Sequence, residues 1–435
     1  MPTLLPSRPA PQRDEALSSW LARVVRANAL GSHSLFTLAL GGRHNVLSQD
    51  IDCHLPRRAL DGLAALLARE RREIEARTLF RYIVKFVPFD ATSRTRRWVL
   101  SFAERNRVPT NYWMQYCVEC LRADAIPYFR REWRLALITA CPVHRIRLRD
   151  RCSCGAPIEY LSPQADAMRS VRIPKLSVCP RCLADLRDVD SPNVEVDRRT
   201  SRFEKSLLRS VDRGYAPERG GPIYVQQLLQ VLFILFGQLR RSPGLQRLVS
   251  ACLGVNDRSK FLCNGGGAVP FERWSVERRH IAMRWAAMML ERWPSHFVRL
   301  CRQNKVWSYA LWGDYDFVPF WFYSRIEQEL HRPWYVVTQK ETEGASRAIR
   351  NAGEPDTHHN RRRWLGRWFE KRPYMLKLVD SPPPLQLDIF QQHFALQCAV
   401  RRQVGRCLGE AINQLFARFT AAARSKSVRS FILFD

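Results

Sequence analysis

The stretch Cys117-Val118-Glu119-Cys120 is followed after twenty residues by Cys141-Pro142-Val143-His144. Cys152-Ser153-Cys154 comes next and, twenty-four residues later, Cys179-Pro180-Arg181-Cys182. Two residues between paired ligands let both side chains of a tight turn reach one ion, and two such turns close a tetrahedral set. Cys117, Cys120, Cys141 and His144 make one set; Cys152, Cys154, Cys179 and Cys182 make the other. Soft thiolate and imidazole ligands in these numbers select Zn²⁺, and a full set of four leaves no open position for water. Two structural zinc ions are therefore expected, each within its own set; interleaved ligation is the alternative. Disulfides or buried thiols are the competing reading of the same cysteines.

Working outward, the chain has 435 residues, room for two or three domains. Lys and Arg number 70 against 41 Asp and Glu, for a net charge of +29 and a pI near 10.3. An excess of this size favours a polyanion, nucleic acid being the commonest. Only nine of the cations are lysines, so arginine-rich codon usage is a second source of the charge. Met1 to Arg13 is proline-rich and lacks the apolar core of a signal peptide. No apolar run approaches the ~20 residues of a membrane span. The expectation is a soluble cytoplasmic protein whose thiols stay reduced, which favours metal over disulfides.

Ahead of the metal ligands, a helix is expected from near Asp14-Glu15, with Leu17, Trp20, Leu21, Val24 and Val25 on one face. Leu30-Gly31-Ser32 breaks it and His33 to Leu40 resumes, the outline of a helix-turn-helix or of an ordinary helical hairpin. Arg57 to Phe80 reads as a further amphipathic helix. Residues 183–200 look like a polar linker. Beyond them, helices are expected over Tyr224–Leu239, over Trp274–Lys305 with a break at Pro294, from Val318, and over Leu387–Ala423. The fold class is thus mainly α and multidomain: a helix-turn-helix-like helical domain (1–110), a double zinc module (111–190) and a C-terminal helical domain (200–435).

Candidate nucleic-acid contacts are Arg23, Arg26, His33 and Arg43 around the first two helices, and Arg130 and Arg131 between the halves of the first metal set. Arg361, Arg362 and Arg363 open a basic-aromatic patch with Trp364, Trp368 and Phe369. Replacing Arg23 and Arg26 is expected to weaken such contacts without altering the fold. Walker A, H-E-x-x-H, G-x-S-x-G and G-x-G-x-x-G motifs are absent. Asp50 and Asp52 are the closest acidic pair, with no third carboxylate announcing a two-metal nuclease. No catalytic residue is assigned, and catalysis is disfavoured.

Asp14-Glu15-Ala16-Leu17-Ser18-Ser19-Trp20-Leu21-Ala22-Arg23, Asp50-Ile51-Asp52, Tyr116-Cys117-Val118-Glu119-Cys120-Leu121, Tyr128-Phe129-Arg130-Arg131-Glu132-Trp133 and the later ligand turns occur in an order that resembles the TniQ family of bacterial transposon proteins. The resemblance covers roughly residues 1–190 and is loose beyond 200; Cys152-x-Cys154 is one residue shorter than the family's usual turn. It implies a non-catalytic target-selection adaptor that recruits an AAA+ ATPase and a transposase, binding DNA or a CRISPR effector complex with its guide RNA, in some cases as a homodimer. A transcriptional regulator that binds specific DNA, and an adaptor touching only protein, are the alternatives.

Overall fold

The computed structural model describes residues 4–42, 46–86, 97–100, 113–161, 175–188, 192–217, 222–254, 269–312, 318–330, 335–336, 339–357, 360–361, 364 and 376–377. The structure is mainly helical, as the periodicities require. Helix α1 (Leu17–Ala27) buries Leu17, Trp20, Leu21, Val24 and Val25. The proline-rich segment before it is extended and tied to it: Trp20 Nε1 donates to the Pro9 carbonyl at 2.8 Å, and Asn28 Nδ2 to that of Ser7 at 2.6 Å. Gly31 leads into α2 (Ser32–Leu40), which ends where Gly41 takes a left-handed conformation.

The expected helix over Arg57–Phe80 is three shorter ones: α3 (Arg57–Leu67), α4 (Arg71–Glu75) and α5 (Phe80–Ile83). Ala68 turns left-handed after Leu67 and interrupts the run. Helix α2 packs on α3 at close range. A Cβ at Gly62 would lie 1.8 Å from the Ala39 carbonyl oxygen, so only glycine permits that approach. Leu38, on the outer side of α2, is 49% exposed.

Helix α6 (Val118–Ala123) begins at the first metal turn. In the stretch expected as a linker, the described residues 192–200 are bonded into the fold. Glu195 pairs with Ile146 in a short antiparallel bridge, Val196 N–H donates to the Arg145 carbonyl, and Asp197 caps α7 (Arg198–Arg213) by accepting from Thr200 N–H at 2.9 Å. The strand pair β1 (Tyr215–Ala216) and β2 (Ile223–Tyr224) then leads into the buried α8 (Val225–Arg241) and α9 (Pro243–Leu253). Helices α10 (Val276–Leu290) and α11 (Ser295–Gln303) flank the expected break at Pro294, and α12 (Ser308–Trp312), α13 (Phe320–Leu330) and α14 (Gln339–Asn351) follow.

One apolar core runs through all three expected domains. Trp98 sits edge-on against Phe236 and Phe271, and its backbone N–H donates to the buried Glu272 carboxylate at 2.7 Å. The helix expected over Leu387–Ala423 lies outside the described residues, as do Arg43, Arg362 and Arg363. Among the described residues no helix is long and apolar enough to cross a membrane.

Candidate metal centres

Each ligand pair sits on a turn whose hydrogen bonds explain its spacing. Cys117 caps α6, its sulfur accepting from Cys120 N–H at 3.4 Å. In Cys141-Pro-Val-His144, Cys141 N–H donates to the Ile146 carbonyl and Arg145 N–H to that of Cys141, with Arg145 left-handed. Cys179-Pro-Arg-Cys182 repeats this pattern. There Cys179 N–H reaches the Ala184 carbonyl, Leu183 N–H reaches that of Cys179, and Leu183 is left-handed. The short Cys152-x-Cys154 turn closes one residue earlier, Cys152 N–H donating to the Ala156 carbonyl. It does so because Gly155 adopts φ +80°, in the region that favours glycine.

The eight ligands gather as two separate sets, 117/120/141/144 and 152/154/179/182, in which the ligand atoms lie within 4.8 Å of one another. The grouping is sequential, not interleaved. In the first set Cys120 and Cys141 sulfurs are 3.5 Å apart, and His144 Nδ1 is 3.5, 3.3 and 3.6 Å from Cys117, Cys120 and Cys141. A tetrahedral ion bound at ~2.3 Å to sulfur and ~2.0–2.1 Å to nitrogen needs edges of about 3.5–3.8 Å. The set fits. A disulfide would need ~2.05 Å, and the cysteines are free thiols. In the second set Cys152 and Cys182 are 3.5 Å apart, Cys154 and Cys179 3.9 Å.

The electrostatics agree. Thiols of Cys117 and Cys120 hydrogen-bonding to Cys141 hold its thiol far down, to about 2, while the bonds Cys120 makes to Cys117 and Cys141, with burial, push Cys120 well up. A bound dication would draw the remaining thiol protons off. In the second set the Ala184 backbone N–H brings Cys182 down to about 7.

Surroundings separate the two. Cys117, Cys120 and Cys141 are buried, and the turns holding them are bonded into both helical halves. Tyr116 and Arg149 exchange backbone hydrogen bonds of 2.8 and 2.9 Å, and the buried Glu204 of α7 accepts from Thr139 and Ala140 N–H at 3.0 Å each, just before Cys141. Arg279 of α10, wholly buried, donates to the Ala136 carbonyl at 2.9 Å and to Gln115 Oε1 at 3.1 Å. In the second set Cys154 and Cys182 are exposed.

The expected arginine contacts are largely corrected by their partners. Arg23 is buried, its guanidinium held by Glu15 at 2.5 and 2.9 Å and by the Ala10 carbonyl at 2.8 Å. Replacing it would therefore disturb the fold. Arg26 donates to the Ala22 and Tyr160 carbonyls, both at 3.2 Å. Arg130 pairs with Asp124 and Asp14 and stacks on Tyr128 and Trp133, Arg131 donates to the Ala76 carbonyl, and Arg361 pairs with Asp356 at 2.7 Å. Of the described candidates, His33 is the one in the exposed class.

Sequence reasoning missed what Asp50 and Asp52 do. They clamp the fully buried Arg134 at 2.5 and 2.7 Å. Ser18 N–H and hydroxyl both donate to Asp52 at 2.7 Å, and Tyr160 hydroxyl lies 3.0 Å from Ser18 Oγ. Burial pushes the Asp52 carboxyl above its usual range, against the pull of Arg134. The network joins α1, the 50–52 turn, the inter-ligand segment and, through Tyr160, the stretch after the first turn of the second set.

With this geometry in place, the family model described as TniQ matches residues 6–148. The match spans α1 to α6, the Asp50–Arg134–Asp52 clamp and the whole first ligand set, and it ends before Cys152. This region is therefore similar to the TniQ family. No curated protein matches the chain.

Proposed function

We propose that this chain is a non-catalytic target-selection adaptor for DNA transposition, built on two structural zinc ions. It engages the target site, as DNA or as a target-bound complex, and recruits an AAA+ ATPase and, through it, the transposase. The observation that supports this most strongly is the coincidence of the matched region with the parts that fold around the first ligand set. Zinc is the ion assigned because both sets offer only sulfur and imidazole nitrogen, with no carboxylate or open position. Asp50 and Asp52, the pair that a nuclease reading would need, are engaged by Arg134.

The first two helices act as a protein-facing hairpin. Helix α2 carries no Lys or Arg and exposes His33, Ser34 and Leu38, a poor surface for phosphate. The test is a reconstituted transposition reaction with the ATPase and transposase of the same element. Omitting this chain is expected to abolish site-directed insertion, and the immobilised chain is expected to retain the ATPase. Insertion at the same sites without it, and no ATPase retained, would refute the reading.

A further inference from the structure

Helix α7 carries Arg198, Arg202, Lys205, Arg209 and Arg213 at successive spacings of four, three, four and four residues. At ~100° and ~1.5 Å per residue these five fall within an arc of about 80° and extend over roughly 22 Å. The four arginines are exposed and Lys205 is half-buried. The carboxylates of the same segment are engaged elsewhere. Asp197 caps the helix and faces Arg284 at 3.5 Å, Glu204 is buried beneath Thr139 and Ala140, and Asp212 pairs with Arg81. None of the five cations forms an ion pair with a described residue, whereas Arg23, Arg130, Arg134 and Arg187 all do. Like charges at i,i+4 repel along a helix, so the row destabilises its own helix unless a polyanion covers it.

We propose that the exposed face of α7 is a docking surface for the sugar-phosphate backbone of duplex DNA. The side chains are cations alone, spaced along one exposed face, which suits a row of phosphate oxygens and a contact that sets position. A rise of 22 Å corresponds to about six base-pair steps of a B-form strand. The wide major groove of B-DNA and its phosphate walls accept a helix face, while the deep, narrow groove of A-form RNA does not. Continuity strengthens the assignment. Ser201, Lys205 and Leu208 border a shallow depression with Pro142 of the first metal turn, and Arg81 of α5 meets Asp212 at the helix's other end. DNA held here would therefore run beside the matched region; the choice of DNA rests on the adaptor reading above.

The experiment is binding of the full, metal-loaded chain to a labelled ~30-base-pair DNA duplex, and to an RNA duplex of the same sequence, across a salt series. Neutralising n phosphate contacts changes the slope of log K against log salt by about 0.9n. R202Q/K205Q/R209Q is expected to flatten the slope by about 2.7 and weaken DNA binding at least tenfold. R202K/R209K should keep the wild-type slope, which distinguishes lost charge from a damaged helix. R57Q/R58Q/R72Q, which removes exposed cations of α3 and α4, should leave the slope unchanged. An identical slope for wild type and the glutamine variant would overturn the proposal, as would stripe-dependent binding of RNA but not of DNA. If directed insertion still requires the chain while that slope is unchanged, the stripe falls and the adaptor reading stands.

Discussion

The first and second metal centres use nearly the same turn but occupy opposite situations. Cys141-Pro-Val-His-Arg145 and Cys179-Pro-Arg-Cys-Leu183 share their backbone hydrogen bonds and a left-handed residue after the second ligand. Around the first, Glu204, Arg279 and the Arg134 clamp bring polar anchors from both helical regions to within a few residues of the ligands. Around the second, the turn that carries Cys179 and Cys182 makes local polar contacts, such as Arg187 with Asp185 at 2.7 Å, and two of four sulfurs face outward. One ligand chemistry thus serves two purposes. At the first centre it is tied to α7 and α10 by buried polar anchors, and at the second it holds two turns whose outer sulfurs face away from the shared core.

The largest expected effect is at the first centre. Cys141→Ser should remove most of the metal's folding energy, of order 10 kcal/mol in zinc-finger peptides, and collapse the near-ultraviolet circular dichroism of the whole chain. A cooperative unfolding transition like that of wild type would break the comparison. Next, Arg134→Ala leaves Asp50 and the buried Asp52 unpaired and should cost about 3–5 kcal/mol in denaturant unfolding. A cost under about 1 kcal/mol would mean the clamp is not what ties α1 to the inter-ligand segment.

Glu204 sharpens the same point through pH. Burial raises its carboxyl to about 7 from 4.5. Its contribution is therefore full below about 4.5 and lost as pH rises through about 7. The stability of Glu204→Gln relative to wild type should rise by about 2–3 kcal/mol from pH 5 to pH 8, read from denaturant melts; a pH-independent difference would contradict it. The smallest effect belongs to the second centre. Cys179→Ser should remove one ion yet change the stability of the main body by less than about 1 kcal/mol. Hydrogen exchange confined to 152–188 would show the loss to be local, and exchange spreading to α1 would erase the distinction.

The ligands and most helices were legible because both signals are local: a two-residue gap and a 3.6-residue period. The Cys152-x-Cys154 turn was legible too, with Gly155 supplying the conformation that a shorter loop needs. What could not be read were pairings across long separations. Arg23 with Glu15 at least shares a neighbourhood, but Arg134 finds Asp50 and Asp52 more than 80 residues away, and Glu195 pairs with Ile146 from within an apparent linker. In a chain with 70 cations, an arginine's sequence neighbours do not say which of them folding will neutralise. The row on α7 was missed for a related reason, since its carboxylates lie among the cations in sequence but are engaged by Thr139, Ala140 and Arg81.

The central claim meets its most direct test in the metal itself. Chelator titration of the natively purified chain, followed by a zinc-sensitive dye and by buried-tryptophan fluorescence together, should release two ions per chain in two steps. The first release should leave the fluorescence of Trp20 and Trp133 unchanged, and the second should coincide with its collapse. A chain purified without metal, or one that gives up both ions with its tryptophans undisturbed, would contradict the account.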